Sequence, residues 1–129
     1  MNLTSKFLEN YYFEIFNCTF ELRFEYTDIN EIEPDAFKYC RKRKLILVHF
    51  QKSHDQKDVK LISLNKEHLS LFEPLKEHLK DLNLSCNFKC EFNFLEHLRN
   101  LKWLSLSRSV FSTGRPVFKG ANNHLTYLY

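Results

Sequence analysis

Apolar and polar residues alternate in short runs along much of the chain. ELRFE at 21–25, KDLNLS from Lys80 and KWLSLS from Lys102 put every second side chain on one face, the period of a strand with one buried face. A second signal follows these runs, an apolar pair spaced by three: Phe37 with Cys40, Phe72 with Leu75, Leu95 with Leu98, and Phe118 with Ala121. One turn of α or 3₁₀ helix brings residues at that spacing to the same side. Each unit therefore predicts a strand followed by a returning turn.

The units repeat. Sliding the chain on itself by 24 places Phe13 on Phe37, Phe16 on Cys40, Leu22 on Ile46, Phe24 on Val48 and Thr27 on Gln51. The same shift carries Leu101 and Leu104 onto Leu125 and Leu128, and a shift of 22 carries Leu79, Leu82 and Leu84 onto Leu101, Leu104 and Leu106. Units of this length cannot bury an apolar face alone, so they stack on their neighbours. Each inward Leu or Phe then contributes about 1.5–3 kcal/mol on full burial. Stacked strands form a parallel sheet lining the inside of a curved array, and Leu82, Leu104 and Leu128 are expected side by side on adjoining strands.

LKDLNLSCNF and LRFEYTDINEIEPDAFKYC resemble the leucine-rich-repeat superfamily in its typical 24-residue class. The resemblance covers Phe13 to Tyr129, with a disturbed stretch from Gln51 to Leu71, and IEPDAF is similar to animal extracellular members. It implies an α/β fold: a curved solenoid with short parallel strands on the concave face and loops or short helical turns on the convex face. It also implies a non-enzymatic module that binds a protein or peptide through the concave sheet, within a secreted protein or receptor ectodomain. The alternative is an intracellular adaptor, such as the substrate-reading part of a ubiquitin ligase, with the same fold and reduced thiols.

The family places Asn at the bend after the strand, where its amide satisfies backbone groups. Thr27, Gln51, Asn87 and Ser109 hold that position here, and only Asn87 is standard. Phe37 and Phe72 are 35 residues apart, one 24-residue unit and 11 more. Residues 53–63, SHDQKDVKLIS, read as an insertion; alternatively, Val59 to Leu64 form an irregular extra strand. Leu3, Phe7, Leu8, Tyr11 and Tyr12 follow helical spacing behind Thr4 and Ser5, which predicts a short amphipathic cap within residues 1–16. Leu125 and Leu128 open a strand with nothing after it to cover its edge, so one domain spanning 1–129 is expected to be part of a longer array.

With 129 residues, 43% of them hydrophobic, the chain is of single-domain size. Two glycines exclude glycine-rich phosphate loops. Nineteen Lys and Arg against sixteen Asp and Glu leave a formal charge of +3, too slight for a nucleic-acid footprint; the Arg41 to Lys44 run reads as a solvated bend. No spacing supplies convergent acid, base and nucleophile, and His78, His97 and His124 are explained by repeat position. No catalytic residue, cofactor or metal is expected, because Cys86, Cys90 and His97 lack the paired knuckles of a zinc site. A Cys86–Cys90 bridge, a Cys18–Cys40 bridge and unpaired thiols stay open, with Cys40 most simply a small buried hydrophobe.

The first dozen residues carry Lys6, Glu9 and Asn10 rather than an apolar export segment. Sequons at Asn2, Asn17 and Asn83 lean towards export. No window approaches a membrane span, so membrane attachment would need one downstream.

The strand face turned from the core is free of packing constraint and available for recognition. Its expected partner-contacting set is Glu21, Arg23, Tyr26, His49, Phe50, Asp81, Asn83, Trp103, Ser105, Arg108 and Tyr127. Glu25, Ser85, Ser107 and Tyr129 complete the face. Trp, Tyr and Arg offer contact area with a polar handle.

Overall fold

The structure, a computed structural model, describes residues 2–13, 20–25, 29–42, 44–51, 62–85, 88–90, 95, 98–106, 110–111 and 126–128. Its strands are β1 (Asn2–Leu3), β2 (Glu21–Glu25), β3 (Glu31–Ile32), β4 (Leu47–Gln51), β5 (Ile62–Leu64), β6 (Asp81–Ser85), β7 (Phe88–Cys90), β8 (Trp103–Ser105), β9 (Val110–Phe111) and β10 (Thr126–Leu128). A helical turn α1 (Ser5–Phe7) runs into a π-helical stretch at Leu8–Phe13. Further 3₁₀ turns lie at Lys38–Lys42, Lys66–His68 and Glu73–Leu75. The architecture is thus a mixture of short helical turns and parallel strands.

β2, β4, β6, β8 and β10 lie side by side in chain order in one five-stranded sheet. The strands between them pair separately, β1 with β3 and β5 with β7 and β9, so the chain alternates between the two pairing systems. All pairings are parallel. The entry to the large sheet is built the same way three times, with one carbonyl accepting from two successive N–H groups of the next strand. Phe20 accepts from Ile46 and Leu47 (2.8 and 3.2 Å), Ile46 from Lys80 and Asp81 (2.8 and 3.0 Å), and Lys80 from Lys102 and Trp103 (2.8 and 3.0 Å).

The apolar pairs spaced by three form the expected turns. The Cys40 N–H donates to the Phe37 carbonyl at 2.9 Å, Leu75 to Phe72 at 3.0 Å and Leu98 to Leu95 at 3.0 Å, and all six side chains are buried. Phe118 and Ala121 lie outside the described residues. Arg41, part of the basic run, pairs with Glu73 and so ties two of these turns together. That guanidinium, and behind it Lys76, holds the Glu73 carboxyl below its ordinary value.

Two inward columns cross the large sheet: Leu22, Val48, Leu82 and Leu104, and beside them Phe24, Phe50 and Leu84. Phe50 stacks on Phe24 at 4.8 Å between ring centroids and meets Phe88 edge-on at 5.4 Å. Phe37 packs on Phe50 at 6.5 Å and stacks on Phe72 at 5.8 Å. Each such pair adds about 0.5–1.5 kcal/mol beyond area burial. The rings join β4 to β7 and to both turns.

The register corrects the sequence reading in two places. Glu21 pairs with Leu47, an offset of 26 rather than 24. The larger offset keeps the inward parity but brings Phe50 onto Phe24 and leaves Ile46 40% exposed before the strand, which buries the larger aromatic side chain. Phe50, expected on the outward face, is therefore 0% exposed; neighbours on a strand face opposite ways, so it cannot share a side with His49. The offset from β4 to β6 is 34, Leu47 to Asp81, beside the 35 between the equivalent turn residues Phe37 and Phe72. From β8 to β10 it is 23, so Tyr127, not Leu128, aligns with Leu104. Tyr127 thereby leaves the outward set for the register position of the inward row.

The alternatives at residues 53–63 resolve in part. Ile62–Leu64 is a strand, β5, paired with β7, and residues 52–61 lie outside the described set. At the N-terminus the Thr4 hydroxyl accepts from the Phe7 N–H at 3.1 Å, capping α1, while Leu3 and Leu8 enter the core. Cys40 is fully buried. Cys90 is a buried free thiol, so no Cys86–Cys90 bridge forms, and loss of solvation pushes its pKa up to about 12. Cys18, Cys86, Asn87, Thr27 and Ser109 lie outside the described residues. Among the described residues no helix is long and apolar enough to cross a membrane.

Candidate functional site

On the face of the large sheet opposite the aromatic columns, strand alternation sets polar side chains in cross-strand register. Arg23, His49, Asn83 and Ser105 share one row; Glu21, Leu47, Asp81 and Trp103 share the next. A connected chain of polar contacts runs along them. Arg23 Nε donates to Glu21 Oε2 at 3.3 Å, and Arg23 Nη1 lies 3.4 Å from His49 Nδ1. His49 Nε2 lies 2.9 Å from Asp81 Oδ1, the diagonal neighbour across β4 and β6.

These partners select a tautomer. Guanidinium nitrogen only donates, so Nδ1 accepts, and the imidazole proton sits on Nε2 facing the carboxylate. Both ring nitrogens are then engaged, and the contacts hold the Arg23, His49 and Asp81 side chains in place across three strands.

Beside this chain, His49, Asp81, Asn83, Trp103 and Ser105 line an open recess of about 250 Å³. Its wall is ordered by local bonds. The Ser85 N–H donates to Asn83 Oδ1 at 2.9 Å, and the Ser85 and Ser105 hydroxyls are 3.0 Å apart. Trp103 is 45% exposed although it belongs to a strand, whereas the His49 and Asp81 side chains are only 16% and 29% exposed.

All five lining residues belong to the set expected from the sequence, and Glu21 and Arg23 adjoin them through the polar chain. Phe50 is turned into the core and Tyr127 shifts to the inward register position. Tyr26 and Arg108 lie outside the described residues, as do Ser107 and Tyr129.

Sequence reasoning missed a second feature. A larger cavity of about 560 Å³ opens where β3 approaches β5, lined by Thr4, Glu31, Glu33, Ser63, Asn65 and His68 among others. His68, 6% exposed, donates from Nε2 to the Ile32 carbonyl at 2.7 Å and accepts at Nδ1 from the Asn65 N–H at 3.2 Å. The signal available was N-x-x-H at Asn65 to His68, a capping pair with histidine in the usual Glu or Gln place. At the cavity rim the Ser5 N–H donates to Glu33 at 3.3 Å. A hydrogen bond with Asp35, with burial second, raises the Glu33 carboxyl above its ordinary value, and the same bond lowers Asp35.

Among the described residues no group of three or more His, Cys, Asp or Glu converges as a metal site; Cys86 and His97 lie outside them. Comparison with known proteins returns no matching family model, no similar curated protein and no similar solved structure.

Proposed function

We propose that the chain is a leucine-rich-repeat curved solenoid and a non-catalytic module that binds a protein or peptide along the outward face of its five-stranded sheet. Three features support the solenoid: sheet order following chain order, the carbonyl that accepts two N–H groups at three successive strand entries, and the three equivalent turns with an i to i+3 bond. Each is what stacked, equivalent units produce.

The binding role rests on one observation above the others, the exposed Trp103 beside the ordered Arg23–His49–Asp81 chain. A large aromatic ring left in water on a sheet face costs solvation and is the type of residue that anchors protein interfaces. The recess beside it is preorganised by hydrogen bonds, which lowers the ordering cost of binding. The triple variant Arg23→Ala/Asp81→Ala/Trp103→Ala should lose a partner captured by the wild-type chain while its circular dichroism spectrum stays unchanged. Undiminished capture by the triple variant overturns the assignment of this face.

The sequons and the IEPDAF segment support reading this module as part of a secreted protein or receptor ectodomain. The buried free thiol of Cys90 favours the second reading, an intracellular adaptor of the same fold. Counting thiols and glycans on protein taken from native cells separates the two: four thiols and no glycan select the adaptor.

A further inference from the structure

We propose that the recess at His49, Asp81, Asn83, Trp103 and Ser105 is a socket for one arginine side chain of the protein partner. The proposal rests on the reading of this sheet face as the interaction surface, and adds the chemistry it selects.

Charge at the site is opposite in sign to the chain as a whole. The protein carries a formal +3, so a general attraction for cations does not explain a cation site. Locally, the Arg23 guanidinium bonds Glu21, and the contact to Asp81 comes from an imidazole, His49, rather than from a Lys or Arg. Asp81 therefore stands with no Lys or Arg partner among the described residues. Its Oδ1 is engaged by His49, which orients the carboxylate and leaves Oδ2 available.

Geometry then favours arginine. Asp81 and Trp103 are register partners on the parallel strands β6 and β8, and paired strands lie about 4.8 Å apart. A planar guanidinium lying over the indole can present edge N–H groups to the adjacent carboxylate, satisfying cation–π and charged hydrogen-bond contacts together. A lysine ammonium is a compact, strongly hydrated point charge that lacks the flat face for stacking. The Ser105 hydroxyl adds an acceptor on the same wall. The partner fitted here is a peptide or loop that projects an arginine.

Trp103 is the single tryptophan of the chain, so its fluorescence and indole N–H resonance report on this recess alone. The test titrates the protein with Nα-acetyl-arginine methylamide, and in parallel with the citrulline analogue, which has nearly the same shape and no charge. The arginine probe should give a saturable change at Trp103, and the citrulline probe a response about tenfold weaker, as loss of one charged hydrogen bond implies. Asp81→Asn should reduce the arginine response to the citrulline level.

Equal responses to the two probes, or none to arginine, overturn the socket. The wild-type contrast needs no variant, so a poorly folding Asp81→Asn protein does not blunt the test. If arginine fails while partner capture still depends on the triple substitution, the socket falls and the interaction face stands. If capture ignores the triple substitution, the face itself falls.

Discussion

The two pairing systems of this protein differ in continuity. The large sheet runs without a break from β2 to β10, while the remaining strands split into β1–β3 and β5–β7–β9. The break falls beside the longest offset in the large sheet, the 34 residues from Leu47 to Asp81. On the continuous side the extra chain is absorbed, because the strand entry at Lys80 and Asp81 reaches back to the Ile46 carbonyl as its equivalents do. On the other side β3 and β5 do not pair, and the His68 ring donates to the Ile32 carbonyl instead. Extra chain is tolerated where a backbone ladder can re-form, and a side chain must satisfy the backbone where it cannot.

Substitutions at three contacts sharpen that difference. The largest effect is expected at Phe50, which links the two systems through Phe24 on β2 and Phe88 on β7. Phe50→Ala should cost about 3–5 kcal/mol in urea unfolding. Trp103→Ala, on the opposite face, should stay within about 0.5 kcal/mol. Similar losses for both would mean that the aromatic column is not the core of the stack.

Next is the break itself. His68→Ala orphans the Ile32 carbonyl and the Asn65 N–H together, so a loss of about 1–3 kcal/mol is expected. Slower amide exchange in β4 and β6 than around β3 would mark where that loss is local. If His68→Ala is neutral, the ring does not substitute for the missing ladder.

The smallest effect is at the turns. Glu73 bridges to Arg41 and Lys76 on a partly exposed surface, so Glu73→Gln should cost at most about 1 kcal/mol at neutral pH. Because the folded-state carboxyl titrates below its ordinary value of 4.5, this contribution is present above pH 4.5 and lost as pH falls through the lower, folded value. The stability curves of wild type and Glu73→Gln should therefore converge in acid. A gap that persists below that range would assign the difference to packing rather than charge.

Much of this is visible in the residues. Alternation at ELRFE and DLNLS identifies Leu22, Phe24, Leu82 and Leu84 as inward, and the spacing of three identifies Phe37, Cys40, Phe72, Leu75, Leu95 and Leu98 as the buried pairs of returning turns. The five residues around the recess follow from the same alternation, because a strand with one face buried must present the other. His49 and Phe50 are neighbours on one strand and face opposite ways, so only His49 belongs to the outward face. The role of His68 has no local signature beyond its cap, because its partner, Ile32, lies 36 residues away.

Local pattern therefore determined the inward residues of β2 and β6 and the turns at the apolar pairs, since those follow from periods of two and three along one segment, whereas the short strands β1, β3, β7 and β9 carry no such signal. Register belonged to the tertiary structure. Offsets of 24 and 26 keep the same parity, and the packing of Phe50 between Phe24 and Phe88 accompanies the second. The His49–Asp81 contact and the break spanned by His68 likewise depend on which distant strands become neighbours, a choice made by burial summed over the whole stack.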